Sequence, residues 1–355
     1  MMVNLDDKSI YTSLDKSGMG AQIRGLPEQC RLAWEKALTF KLPPGYSDVN
    51  KVVILGMGGS AIGGDLLRGM AGNACRAVML VQREYDLPGW VDEKTLVIAS
   101  SYSGNTEETL SSFAQALKKD CRKLAIATGG KLADMAREAG VPLFVIDHVA
   151  PPRAALGASL LPLLAIAGSL GLLSLKKDEV GAALASLEKL GAGWQEDSPV
   201  ERNRAKQLAL KSQGKIAVVY GAGLLTDVAR RWKTQINENS KAWAFFETLP
   251  ELNHNAVLGY SYPAELAGSF YVLMLRCRSL HPRTLIRYTV TGELLSKAGI
   301  PYEYIDSAGN SPLEDMLGLV LLGDWISYYL AMLYGADPSS VPQIDFLKKR
   351  LAESQ

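Results

Sequence analysis

The chain has 355 residues, room for two domains of about 150 residues each, and its 48% hydrophobic against 21% charged content excludes a disordered polymer. Lys and Arg number 38 and Asp and Glu 37, so the net charge of +1 offers no basic field for nucleic acid or an anionic membrane; an anion would need a local site. Cys30, Cys75, Cys121 and Cys277 are scattered without a CxxC pair, and His148, His254 and His281 stand far apart, a pattern that fits a reducing compartment and argues against a zinc site. No metal and no cofactor is expected.

Residues 1–50 read as a polar, helical N-terminal extension packed on the first domain and ending in the turn-rich KLPPGYSDVN. The start MMVNLDDKSIYTSLDK lacks the apolar stretch of a secretory signal, so a cytoplasmic location is expected. Lys51–Leu55 is a short apolar strand that runs into the glycine-rich Gly56–Gly64, with a helix from Asp65. Further strands are expected at Ala77–Gln82, at Thr95–Ser100, which leads into Ser101-Tyr-Ser-Gly-Asn-Thr106 and a helix, at Lys123–Ala127 and at Pro142–Ile146. Short apolar strands alternating with helices predict a parallel sheet covered on both faces, here over a first domain of 51–153.

Ala154–Leu175 carries no charge over 22 residues, enough to span a bilayer, and no other segment reads that way. With Pro162 and three glycines in it, a helix buried between domains or subunits is the expectation, within a helical connection of 154–205. The pattern then restarts: strand Lys215–Tyr220, turn Gly221–Gly223, helix Thr226–Asn239, strands at Thr284–Tyr288 and Tyr302–Ile305, and a closing helix after Asp337-Pro338. Residues 206–355 are the second domain. The fold class is α/β, a tandem repeat of one unit with a parallel sheet flanked by helices on both faces.

Two turns carry chemistry. Gly56–Gly64 hands a strand to a helix, and such a turn presents backbone N–H groups reinforced by the helix dipole, a setting for phosphate. Gly56-x-Gly58-x-x-Ala61 also matches a loose dinucleotide fingerprint, but the acidic residue it wants is represented only by Glu84 beside Arg83. Ser101–Thr106 gathers three hydroxyls and a glycine at a strand end, more than one helix cap requires, and such hydroxyls and N–H donors hold a phosphate monoester without a metal. If the two strands are neighbours, both turns open onto one crevice.

Ser101-x-Ser103-Gly104-x-Thr106 after a strand resembles the sugar isomerase (SIS) domain motif that binds sugar phosphates. The run Ile54–Asp65, Pro151-Pro152-Arg153, Asn237-Glu238-Asn239-Ser240-Lys241 and Pro250-Glu-Leu-Asn-His-Asn255 occur in order. Together they resemble the bifunctional phosphoglucose/phosphomannose isomerase family of archaea and bacteria, from about residue 50 to the C-terminus. The resemblance implies two SIS domains, a homodimeric site and aldose–ketose isomerisation of glucose 6-phosphate, and of mannose 6-phosphate, with fructose 6-phosphate through a cis-enediol. It implies phosphate binding by Gly59, Ser60, Ser101, Ser103 and Thr106. It makes Glu238 the base, with Glu251 as rival, and Arg153 the cation for the enediolate. His254, from the partner subunit, becomes the ring-opening acid–base, and Lys348, or its neighbour Lys349, the ring-opening partner. Room near C2 for mannose is implied at a small hydroxyl residue, for which Ser339 and Ser340 are candidates. A non-catalytic SIS regulator would need no Glu238 or His254, and a dinucleotide-dependent oxidoreductase would leave Ser101–Thr106 and Asn253–Asn255 unused.

Overall fold

Strands apolar on both faces belong inside a parallel sheet with helices on either side. The Val-Val-Ile-Leu run of β1 (Lys51–Leu55) is buried, and so is every residue of β3 (Thr95–Ser100), its neighbour, with Val53 opposite Val97. β2 (Val78–Gln82), β4 (Arg122–Ala127) and β5 (Leu143–Val145) complete a parallel sheet of order β2-β1-β3-β4-β5. A second parallel sheet, β7-β6-β8-β9, is built from β6 (Ile216–Ala222), β7 (Ala244–Leu249), β8 (Phe270–Arg276) and β9 (Tyr302–Asp306). The two orders repeat each other. In each, the first strand of the unit has the second strand on one side and the third on the other, the reversal that opens a crevice at the strands' C-terminal ends. The structure is a computed structural model describing residues 3–353; residues 1, 2, 354 and 355, at the ends of the predicted extension and second domain, lie outside the described residues.

The helices are α1 (Ser9–Leu14), α2 (Met19–Arg24), α3 (Leu26–Thr39), α4 (Gly58–Ala71), α5 (Glu107–Leu117), α6 (Gly130–Glu138), α7 (Leu156–Ser169), α8 (Lys177–Ala192), α9 (Arg204–Ser212), α10 (Thr226–Ser240), α11 (Pro282–Lys297), α12 (Pro312–Leu333) and α13 (Pro342–Glu353). Three expectations are corrected. The helix after the first glycine turn starts at Gly58, not at Asp65. Thr284–Tyr288 is no strand: it lies in α11, whose Tyr288, Thr291 and Leu295 recur at helical spacing on the buried side, and the local strand is Phe270–Arg276. The uncharged run forms α7, whose 14 residues fall short of the ~20 a bilayer needs. It is α12, at 22 residues and mean hydropathy 1.6, that is the one helix among the described residues long and apolar enough to cross a membrane. That apolar stretch is wholly buried inside the protein, against α8, α9 and α10.

α3 of the N-terminal extension lies along α7. The extension also meets the first sheet, where the Tyr46 hydroxyl donates to the Lys123 carbonyl at 2.8 Å. On its other side Tyr11 stacks on Tyr328 of α12, ring centroids 5.9 Å apart. It therefore touches elements on both sides of the molecule.

Candidate active site

β1 and β3 being adjacent, the turns that leave them are adjacent too. α4 starts at Gly58, so the first N–H groups of the helix have no intrahelical acceptor and its dipole adds partial positive charge there. Ser60 Oγ accepts from the Tyr102 N–H at 3.0 Å, which ties one turn to the other. Ser101 Oγ and Thr106 Oγ1 lie 2.9 Å apart, while the exposed Ser103 accepts the Asn105 N–H at 3.3 Å. Gly104 holds φ at 69°, and a Cβ there would fall 1.8 Å from the Gly129 carbonyl oxygen, so glycine alone closes this turn. Gly59 is required for a different reason: its Cβ would meet the Pro152 carbonyl oxygen at 2.6 Å and the Arg153 nitrogen at 3.3 Å. The glycine turn thus backs directly onto the segment bearing Arg153.

Arg153 is 5% exposed, a charge that must be paired to be buried. Its Nε donates to Asn239 Oδ1 at 2.8 Å, and its Nη2 to the carbonyls of Pro338 and Ser339 at 2.6 and 2.9 Å. Its Nη1 faces Glu238 Oε2 at 3.8 Å. Burial pushes the guanidinium's pKa down, and Glu238 and Asp337 oppose this. Its own carbonyl accepts from Arg231, which is paired with Asp324 of α12 at 2.7 Å. Glu238 and Asn239 sit in the last turn of α10, so one helix end delivers both the carboxylate and the group that orients the arginine. Among the described residues the Glu238 carboxylate accepts no hydrogen bond closer than that arginine contact, which leaves its oxygens available to a proton donor.

Two further residues, Asn239 and Lys241, take their place at the site only in the tertiary structure. Lys241 adopts a left-handed φ of 57°, which brings its amine back to the Glu238 carbonyl and 3.5 Å from that of Pro338. Burial lowers its pKa, Arg153 adds to the effect, and Asp337 and Glu238 act against it. Ser339 Oγ is buried in the same loop, without a hydrogen-bond partner among the described residues. Asn239 and Lys241 stand in the motif Asn237–Lys241, but the Asn239 partners Arg153 and Ser327, and Pro338 beside Lys241, lie 86, 88 and 97 residues away, distances that no local pattern reports.

Of the expected site residues, Gly59, Ser60, Ser101, Ser103, Thr106, Arg153 and Glu238 occupy this connected region. His254 and Lys348 do not. His254 is exposed on a short turn, Glu251–His254, and Lys348 lies on α13, which has no buried residue. Among the described residues neither bonds to Arg153, Glu238 or the two turns. Glu251, the rival base, is exposed and accepts from Asn255 at 2.8 Å, away from Arg153.

Residues 201–351 match the family model of the bacterial phospho-glucose isomerase C-terminal SIS domain. The chain is 44% identical over 336 residues to a bifunctional phosphoglucose/phosphomannose isomerase of Caldicellulosiruptor bescii, covering 94% of this chain and 99% of that protein. An enzyme of the same name from Aquifex aeolicus is 38% identical over 301 residues, covering 84% and 90%. Among solved structures, a hypothetical protein from Thermus thermophilus superposes with a TM-score of 0.74 at 19% identity, over 98% of this chain and 93% of that one, a likeness of fold.

Proposed function

The chain belongs to the bifunctional phosphoglucose/phosphomannose isomerase family, and from that membership we propose that it interconverts glucose 6-phosphate, and mannose 6-phosphate, with fructose 6-phosphate. The observation that carries the assignment of roles is the approach of Glu238 to the buried Arg153 at 3.8 Å, beside a turn set suited to phosphate. A regulator that only bound sugar phosphate would not need a carboxylate and a buried guanidinium side by side.

The phosphate sits against the N-terminus of α4 and the hydroxyls of Ser101, Ser103 and Thr106. After ring opening, Glu238 removes the proton from C2 of the open aldose and returns it to C1 while the C2 hydroxyl proton passes to the C1 oxygen, and the reverse for the ketose. The negative charge that develops on the enediolate oxygens is stabilised by Arg153, whose planar charge is fixed by Asn239 and the two carbonyls before substrate arrives. Ring opening needs a proton donor and acceptor. His254 and Lys348 fill that role, with His254 supplied by a second copy of the chain; an imidazole moves protons near neutral pH. The exposure of both residues in a single chain supports this arrangement. The two SIS units are taken as residues 51–153 and 206–355, in a homodimer working in the cytoplasm, in glycolysis or gluconeogenesis. Ser339, whose hydroxyl has no partner among the described residues, is our choice of the two candidates near C2.

The test is formation of fructose 6-phosphate from each aldose in the presence of a chelator, by the natural protein and by Glu238→Gln. Removing a positioned base costs ~10²–10⁴-fold in rate, expected here in kcat. No turnover of either aldose by the natural protein would refute the reading, and near-normal turnover by the variant would take the base role from Glu238.

A further inference from the structure

Arg153 follows a stretch, 146–151, that belongs to no helix or strand. In this stretch the Ile146 N–H donates to the Ala127 carbonyl and Asp147 pairs with Lys36, and two further side chains outside it tie the part nearest Arg153. The Tyr102 hydroxyl donates to the His148 carbonyl at 2.5 Å and accepts the Ala150 N–H at 2.8 Å. Gln29 of α3, 4% exposed, works from the other side. Its Oε1 accepts the Ala158 N–H at 3.2 Å, and its Nε2 donates to the Ala154 carbonyl at 2.9 Å. An N–H only donates and a carbonyl only accepts, so these two bonds settle which end of the amide is which. The remaining amide proton then points at His148 Nε2, 2.7 Å away, which accepts it and places the ring's own proton on Nδ1. Burial of His148 pushes its pKa down and so favours that neutral ring.

Arg153 is thus bracketed at positions 148 and 150 before it and at 154 and 158 after it. Tyr102 is itself part of the phosphate turn: its N–H is bonded to Ser60, and its carbonyl accepts from Thr128 N and Oγ1 at 3.0 and 2.7 Å. We propose that Tyr102 and Gln29 are positioning residues for Arg153, so that the phosphate turn and the N-terminal extension together set the distance from the bound phosphate to the guanidinium. The proposal rests on the reading of Arg153 as the cation that faces the enediolate. It gives the extension a task in the reaction besides covering apolar surface.

The experiment compares Tyr102→Phe, Gln29→Leu, Arg153→Lys and the two doubles that contain Arg153→Lys, measuring kcat, KM and Tm with fructose 6-phosphate as substrate. Tyr102→Phe removes one oxygen atom and leaves the backbone bond to Ser60, so phosphate binding should persist. Each of the two positioning variants should lower kcat ~10–100-fold, the scale of a small misplacement, with KM changed by less than about twofold. Added to Arg153→Lys, each should cause little further loss, because the group it positions has already been replaced. Wild-type kcat in both positioning variants beside a slow Arg153→Lys would overturn the proposal while leaving the role of Arg153 standing. Losses that multiply in the doubles would likewise overturn it, as they indicate general loosening. A fully active Arg153→Lys would remove both the proposal and the reading beneath it. Should Gln29→Leu fail to fold, Tyr102→Phe alone decides.

Discussion

Replacing Gly59 with alanine places one methyl group where the structure has no space. The new Cβ would stand 2.6 Å from the Pro152 carbonyl oxygen, 2.9 Å from its carbon and 3.3 Å from the Arg153 nitrogen. Ordinary contact is about 3.5 Å, so the two segments must part by roughly 0.9 Å. All three obstructing atoms are backbone, and no side chain can rotate away. Overpacking of this kind costs ~1–3 kcal/mol, which should appear as a fall of a few degrees in Tm. The functional effect should exceed the structural one. A shift of about 1 Å in a group aimed at the reacting atoms can cost up to ~10²-fold, and it is Arg153 that moves. We expect kcat to fall between ~10- and 100-fold in a coupled assay of glucose 6-phosphate formation from fructose 6-phosphate. Gly58→Ala is the control. At Gly58 φ is 48° and a Cβ would meet nothing within 4 Å, so the variant incurs only backbone strain of ~1 kcal/mol and should lose less kcat. Gly59→Ala with natural kcat and Tm would show that the glycine turn does not abut the Arg153 segment, and the geometry argued above would be wrong.

Ser103→Ala combined with Thr106→Ala should raise KM for sugar phosphates with a smaller effect on kcat, since the phosphate is held equally in ground and transition states; an unchanged KM would move the phosphate elsewhere. Mixing inactive Glu238→Gln with inactive His254→Ala and allowing subunits to exchange should restore activity, because a mixed dimer has one site with both lesions and one with neither; no recovery after proven exchange would place His254 in its own chain's site. Glu303 accepts from Tyr271 at 2.5 Å and from Lys211 at 2.8 Å, and also pairs with Arg204. Burial pushes its pKa up, but the hydrogen bonds from Lys211, Tyr271 and Arg204 outweigh burial and hold it below the ordinary 4.5. A lowered carboxylate pKa contributes stability above the unfolded value, and that stability is lost as pH falls through the folded value. Glu303→Gln should therefore cost about 1–3 kcal/mol at pH 7, measured by denaturant titration, and the deficit should shrink below pH ~4.5. A deficit that is constant down to pH 3 would contradict this.

The local elements were legible in the chain itself. β1 and β3 announce themselves because a strand buried on both faces must be a continuous apolar run, and the two turns stand out because glycines and hydroxyls at a strand end serve few other purposes. The motif around Glu238 and the Pro-Pro-Arg153 element took their meaning from the family resemblance, since composition alone would leave Glu238 an ordinary helix-end carboxylate. What lay out of reach was anything set by packing between distant segments. The strand expected at Thr284–Tyr288 is helical: Pro282 and the His281 cap open a helix, Ile286 faces outward, and the buried side is set by Tyr288, Thr291 and Leu295 at helical spacing. α12 does not read as a membrane-like helix in the sequence because its acidic residues interrupt the apolar run, and Asp324 is tolerated through Arg231 and Gln235 of α10. The reason for Gly59 could be found only when Pro152 was seen against it, and the service of Gln29 and Tyr102 to Arg153 joins residues separated by more than a hundred and by about fifty positions. A sequence displays propensity and motif within a window of a few residues. Which carbonyl a buried guanidinium meets is decided by how sheets and helices pack, and that is a property of the whole chain at once.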